Sequence, residues 1–376
     1  MKIVIACDSF KGCMTSQEVC RNIEKGIHRA NPKHHCVLYP MADGGEGTAE
    51  CFAQVMQGDM ITMESLDAYG KKITVQYARK EKLAVMDVAT CIGLNMYPRE
   101  ARNPMIAHSR GVGKMMKHAI AHGCTKLVIG LGGSCTNDGG MGILYEFGAR
   151  FYDSHHKLLE PSVYALSRIA YIDKRHFHLP HVECVAACDV ENHLLGKSGA
   201  TFIFGKQKGL FVNQFKEIDQ WMTQYRDKVQ QTFHVDMNEM PGGGAAGGIG
   251  GVLIGVFHAK MQPGIQWMIE ESKMKEAVKN CDLVITGEGQ TDAQTMFGKV
   301  PFGISQLAQS YGKPTICLSG ALGNGYEALY QAGVIGIFSS ADRAMTFQQA
   351  LHRGPEKIEA LAFNVTKCID GLKGIL

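Results

Sequence analysis

Acids and glycines recur at the ends of short apolar runs in this chain. Ile3–Ala6 leads into Asp8-Ser9-Phe10-Lys11-Gly12, and Cys36–Tyr39 into Asp43-Gly44-Gly45-Glu46-Gly47-Thr48. Leu127–Gly130 leads into Gly132-Gly133-Ser134-Cys135-Thr136-Asn137-Asp138-Gly139-Gly140, Cys184–Ala187 into Asp189, and Leu283–Thr286 into Gly287-Glu288-Gly289-Gln290-Thr291-Asp292. One such loop carries little weight, because Asp and Gly are also the common turn residues. Recurrence at the same place in successive runs points to a polar cleft, since open parallel sheets bind ligands outside the carboxyl ends of their strands. That cleft would combine carboxylates, backbone N–H groups and cations. Phosphoryl transfer uses this mixture: carboxylates hold Mg2+, amides and lysines neutralise phosphate oxygens, and one acid orients or deprotonates the attacking hydroxyl. Hydride transfer alone would not need so many acids.

The runs themselves say what positions these loops. Together with Thr315–Leu318 and Val334–Phe338 they are almost continuously apolar rather than alternating, as strands buried on both faces of a parallel sheet must be. Helical patterns lie between several of them. In the first, Thr15 and Glu18 form a capping box ahead of Val19, Ile23 and Ile27 at four-residue spacing. Alternating strands and helices predict an α/β fold. Ile61–Val88 differs: it reads as antiparallel strands around Ala68-Tyr69-Gly70-Lys71, with Ile73, Val75 and Tyr77 alternating. It suggests a second α/β domain, residues 61–269, inserted into a first domain formed by 1–60 and 270–376.

Composition narrows the function classes. With 39 basic and 36 acidic residues among 376, the net charge is only +3, and no block of like charge marks a nucleic-acid or membrane-surface partner. No apolar stretch resembles a secretory signal or a membrane span. The 13 cysteines are scattered without a C-x-x-C pair, which suits reduced packing thiols and a cytoplasmic location. A small-molecule substrate is the expected partner, and the oligomeric state is left open.

Several motifs are ambiguous by themselves. Gly242, Gly244 and Gly247 fit G-x-G-x-x-G, but Pro241 and a polar segment precede them where a strand should end. A phosphate-cradling loop and close backbone packing both remain open for this run. Gly298-Lys299 and Gly196-Lys197-Ser198 lack the upstream glycine of a Walker A loop. His176, His178 and His181 flank Pro180 beside Asp173, Lys174 and Arg175, and read as a solvated loop rather than a metal site. Ser134 is not in a G-x-S-x-G elbow, and Cys7, Cys135 and Cys188 lack a visible activating base.

Assembled, these loops resemble the bacterial glycerate kinase type-1 family, the glycerate 2-kinases. The segments that carry the resemblance are Asp8-Ser9-Phe10-Lys11, Ala42 through Thr48, Ser109-Arg110-Gly111 with Gly113, and Gly132 through Gly140. They continue with Ala187-Cys188-Asp189-Val190, Phe204-Gly205 with Gln207-Lys208-Gly209, the glycine run after Pro241, and Thr286-Gly287-Glu288-Gly289 through Asp292. The resemblance spans nearly the whole chain in the family's order. It implies a Rossmann-like domain with an inserted second domain, an active site between them, and ATP- and Mg2+-dependent phosphorylation of D-glycerate to 2-phosphoglycerate. Transfer to the 3-hydroxyl or to another hydroxy acid is the alternative; an NAD-dependent oxidoreductase or a non-catalytic hydroxy-acid sensor stands further off. The chain departs from the family pattern at Cys7, His108, Lys114, His193, Lys206 and Gln290.

On this resemblance Asp189 is expected to be the base on the glycerate hydroxyl, acting with Lys11 and Asp43 in catalysis. Asp8, Ser109, Arg110, Ser134 and Asn137 are expected to bind substrate, with Arg110 and Lys11 on its carboxylate. Lys208 with Gly242, Gly243, Gly244, Gly247 and Gly248 would face the nucleotide phosphates, and Glu46, Glu288 and Asp292 would serve the metal.

Overall fold

Continuous apolar strands need cover on both faces, and the computed structural model, which describes residues 1–373, supplies it. The chain divides into two compact units. One comprises Met1–Asp43, Gln54–Gln57 and the described residues from Pro263 on; the other comprises Gly44–Ala53 and Gly58–Gln262.

The first unit is built on a five-stranded, wholly parallel sheet in the order Val334–Ser339, Thr315–Ser319, Leu283–Gly287, Lys2–Cys7, His35–Leu38. Its strands hold the apolar runs, with Ile3 opposite Leu283 and Cys7 opposite Gly287. Ile3, Ile5 and Cys7 face one side, where they meet Val19, Ile23 and Ile27 of the helix Ser16–Ala30 and Ile358 and Ala362 of the helix Phe347–Lys373. Cys317 faces the other side and packs with Leu329, Ala332, Val334 and Ile337. The expected capping box is present. The Glu18 N–H donates to Thr15 Oγ1 at 3.3 Å and the Thr15 N–H to Glu18 Oε2 at 2.8 Å, a device contributing about 1 kcal/mol.

The second unit carries a six-stranded mixed sheet in the order Lys260–Gln262, Glu183–Ala187, Lys126–Gly130, Leu83–Asp87, Lys72–Lys80, Asp59–Leu66. The first four strands are parallel and the last two antiparallel. The hairpin at Ala68–Lys71 closes through Asp67, whose Oδ1 accepts from the N–H groups of Tyr69 and Lys71, both at 2.9 Å. Leu83–Asp87 plays a double part, antiparallel to one neighbour and parallel to the other. A small sheet of Arg150–Tyr152, Leu158–Leu159 and Tyr171–Asp173 adds strands that the sequence pattern did not suggest. They are two or three residues long, too short for alternation to register.

Gly44–Ala53 groups with the second unit, although the antiparallel pattern beginning at Ile61 suggests a division near residue 60. The reason is local. The buried Asp87 carboxylate accepts from the N–H groups of Gly47 at 3.0 Å and Ala49 at 3.2 Å, and the Gly132 N–H donates to Gly44 O. Among the described residues no helix is long and apolar enough to cross a membrane.

Candidate active site

In a parallel sheet every strand delivers its following residue to the same rim. In the first unit Lys2–Cys7 delivers Asp8, Leu283–Gly287 delivers Glu288, Thr315–Ser319 delivers Gly320, and Val334–Ser339 delivers Ser340. All four line a cavity of about 370 Å3, together with Asp43, Lys11 and Lys299. Its apolar wall is formed by Phe10, Met345, Phe347 and Leu351.

Asp8 is 6% exposed, and the Ser9 N–H donates to its Oδ1 at 2.6 Å. Burial, and after it the negative charge of Asp43, push its carboxyl up to about 8; the Lys11 ammonium pulls the other way and does not win. Glu288 is also buried and also raised by burial, but it is better served. Thr295 Oγ1 donates to it at 2.6 Å, Thr291 Oγ1 at 3.3 Å and Lys299 Nζ at 3.3 Å. Thr291 is in turn held 2.6 Å from Ser319 Oγ. Glu288 is therefore a fixed carboxylate with a cation beside it. Asp292 lies just outside the lining. Its Oδ1 accepts from the Gln294 N–H at 2.9 Å and its Oδ2 from Gln290 Nε2 at 3.2 Å, so it caps the turn that carries Lys299.

The remaining expected residues belong to the second unit. Asp138 is fully buried and accepts from the Ser109 N–H and Oγ–H, both at 2.8 Å, from the Gly142 N–H at 3.1 Å and from the Gly140 N–H at 3.2 Å. Ser109, expected on substrate, is thus joined to Asp138. Lys208, 2% exposed, donates to Thr136 O at 2.6 Å and Ser134 Oγ at 3.3 Å, and burial lowers its ammonium to about 8. It ties down the loop of Ser134 and Thr136. Asn137 Nδ2 donates to Thr201 Oγ1 at 3.0 Å, while its buried Oδ1 has no hydrogen-bond partner among the described residues. Asp189 is half-buried just past the strand Glu183–Ala187. Glu46 is exposed and accepts from Asn95 Nδ2 at 2.8 Å.

Two of the expected ligand groups are already engaged within the protein. Arg110 does not present a spare charge: its Nε donates to Glu146 at 2.7 Å, its Nη1 to Glu160 at 3.2 Å, and its guanidinium lies 4.7 Å from the Tyr145 ring centroid. The glycine run is not an open cradle either. The N–H groups of Gly243, Gly244, Gly247 and Gly248 already donate to Met240 O, Asn192 O, Gly244 O and Ala245 O. Its glycines answer to packing: at Gly247, φ +71°, a Cβ would stand 2.1 Å from Thr136 O, and at Gly244 2.2 Å from His193 O. Gly247 and Gly248 set the chain tightly against the Asp138 loop, whose Gly139 N–H donates to Gly247 O at 2.9 Å.

Two contributors escaped the sequence pattern. In the sequence Lys299 stands only in a Gly-Lys pair that lacks the rest of a Walker A loop, yet its ammonium pairs with Glu288. Asp87 closes the apolar run Leu83–Asp87 as the other acids close theirs. Burial raises its carboxyl to about 7 despite the Ala49 and Gly47 N–H bonds, and it fixes the Gly44–Thr48 loop.

A model of the glycerate kinase family matches residues 3–370. A glycerate kinase of Halalkalibacterium halodurans is 36% identical over 367 residues, covering 96% of this chain and 97% of that protein. The glycerate 2-kinase of Escherichia coli K12 is 35% identical over 369 residues, 97% of each chain. A crystal structure assigned to a glycerate kinase 2 of Salmonella typhimurium LT2 resembles this fold with a TM-score of 0.87 at 34% identity, covering 100% of this chain and 99% of that one. The matched spans run through both units, and on them the chain belongs to the glycerate kinase family, a family of phosphotransferases.

Proposed function

We propose that this protein transfers the γ-phosphoryl group of ATP to the 2-hydroxyl of D-glycerate, giving 2-phosphoglycerate, with Mg2+ accompanying the nucleotide. The observation that carries this reading is the first unit's cavity, which three carboxylates (Asp8, Asp43, Glu288) and three lysines (Lys11, Lys299, Lys357) line at the carboxyl ends of a parallel sheet. The donor set fits the metal. Asp8, Asp43 and Glu288 offer hard carboxylate oxygens, which Mg2+ prefers, and the Asp8 carboxyl is raised by burial first and by the Asp43 charge second, which Lys11 does not offset. When bound, Mg2+ would neutralise phosphate charge that develops in the transition state.

The chain's own groups do the rest. Lys11 and Lys299 balance phosphate oxygens, and Thr291 and Thr295 hold Glu288 in one orientation. Phe347, 74% exposed, and Met345 offer an apolar face to the adenine base. Asp189 remains the proposed base, orienting the glycerate hydroxyl and accepting its proton. Asn137, with its buried carbonyl oxygen lacking a partner, is retained as a substrate contact, whereas Arg110 is not.

The test is phosphoryl transfer by purified protein with ATP, Mg2+ and D-glycerate, the product resolved by phosphorus NMR. Glycerate-dependent formation of 2-phosphoglycerate supports the proposal. Formation of 3-phosphoglycerate overturns the regiochemistry, and ATP turnover that ignores glycerate overturns the substrate.

A further inference from the structure

The first unit's sheet has a second end. The cavity lies at the carboxyl ends of its strands, whereas Cys36 sits near the amino end of the edge strand His35–Leu38, in register with Ile3. Ile3 and Asp8 are five residues apart along the chain, so the two places are separated by roughly 16 Å. Over that amino end lies the helix Ser16–Ala30, whose residues Glu24 and His28 share one face at a spacing of four.

One carboxylate oxygen of Glu24, one ring nitrogen of His28 and the sulfur of Cys36 all lie within 4.8 Å of one another. Among the described residues no other trio of such donors comes together. An oxygen, an imidazole nitrogen and a thiolate form the mixed donor set of zinc-class ions, not of Mg2+ or Ca2+. A backbone carbonyl stands beside the His28 ring. Its Nε2 lies 3.1 Å from His34 O; with the proton on Nε2 donated to that carbonyl, the lone pair stands on Nδ1. Metal-binding histidines are typically held in this way by a backbone carbonyl.

We propose that Glu24, His28 and Cys36 bind one divalent transition-metal ion of the zinc class, with the fourth tetrahedral position left to water. Cys36 is half-buried on the edge strand. Binding forms a sulfur–metal bond as the S–H bond gives its proton to solvent, with no change of oxidation state. The ion clamps the helix to the edge strand and leaves the cavity untouched, so its contribution is to the stability of the first unit.

The experiment is titration of the full-length protein with Co2+, followed by competition with Zn2+. One equivalent of Co2+ is expected to produce a thiolate-to-cobalt charge-transfer band and tetrahedral d–d bands, both removed by Zn2+. Oxygen-only binding of Co2+ in the cavity gives no thiolate band, so the two sites are distinguishable. Cys36→Ser is expected to abolish the charge-transfer band. His28→Gln, at an exposed position that leaves the core intact, is expected to weaken Co2+ binding by more than about 100-fold, beyond the cost of losing an outer-shell partner. Absence of the band in the parent protein overturns the proposal, as does its survival in Cys36→Ser or undiminished affinity in His28→Gln.

Discussion

The loops after Lys2–Cys7 and after Lys126–Gly130 start from the same ingredients, an acid among small residues at the carboxyl end of a buried parallel strand. They end in opposite states. Asp138 collects four donors from Ser109, Gly140 and Gly142, which uses about all the lone-pair sites a carboxylate has. Asp8 accepts from the Ser9 N–H, faces the charge of Asp43, and is held near 8. The glycines divide in the same way. Gly243, Gly244, Gly247 and Gly248 have spent their N–H groups and lie against backbone, whereas Gly12 beside Lys11 meets nothing within 4 Å of a built Cβ. A polar strand-end loop is available for chemistry where the fold leaves its groups under-satisfied; where they are saturated, the same residues are scaffold.

Asp138→Ala and Asp8→Ala test this contrast most severely. Removing Asp138 strands buried N–H and O–H donors, and a stability loss of about 3–5 kcal/mol is expected from denaturant melts. Asp8→Ala, which removes a buried carboxyl that accepts from the Ser9 N–H, should cost under about 1 kcal/mol in the same melts. Its phosphoryl transfer, in contrast, should fall by about 100-fold or more. Comparable stability losses from both would show that the first unit's loop is as structural as the second's.

A matched glycine pair sharpens the point at smaller scale. Gly247→Ala meets Thr136 O at 2.1 Å and keeps a positive φ of +71°, so a loss of about 2–3 kcal/mol is expected. Gly12→Ala carries a similar φ of +76° in open space, and only the conformational term of about 1 kcal/mol should appear. Equal losses would mean that strain, not packing, fixes the glycine run.

The raised Asp8 carboxyl adds a pH dependence of known sign. Its value moves from an ordinary 3.8 to about 8 on folding, so between those values the folded state holds a proton that the unfolded state releases. This contribution to stability is full below the unfolded value and is lost as pH rises through about 8. The melting temperature should therefore decline between about pH 5 and about pH 9, and Asp8→Asn, neutral throughout, should flatten the decline. An equally steep decline in the variant would place the titrating group elsewhere.

What the sequence makes legible follows the range of the forces involved. Strands buried on both faces leave continuous apolar runs, so Ile3–Ala6 or Leu283–Thr286 can be read from a few neighbouring residues. The Thr15–Glu18 cap is equally local. Leu83–Asp87 is masked because its hairpin partner Lys72–Lys80 imposes an antiparallel pattern on the whole segment, which hides the acid Asp87 at its end. Whether the glycine run cradles phosphate or packs cannot be read locally, because its saturation depends in part on Asn192, and the backbone it meets includes Thr136. Lys299 gives no local signal, since its meaning lies in Glu288 across a turn. The cavity's apolar wall comes largely from Met345, Phe347 and Leu351, more than 300 residues from Asp8 in sequence.

Arg110 gives the smallest expected effect and the most discriminating one. A single arginine after Ser109 invites a carboxylate ligand, yet the two acids that satisfy it, Glu146 and Glu160, lie 36 and 50 residues away. Half-buried pairs of this kind carry modest stability once screening is counted, and breaking one to hold a substrate carboxylate would recover little of the lost interaction. Arg110→Ala is therefore expected to leave the KM for glycerate within about twofold and to cost at most about 1–2 kcal/mol of stability. A rise in KM of tenfold or more with kcat unchanged would mean that the guanidinium leaves Glu146 when substrate binds, and the second unit's loop would then join the first unit's cavity on the reactive side of the contrast.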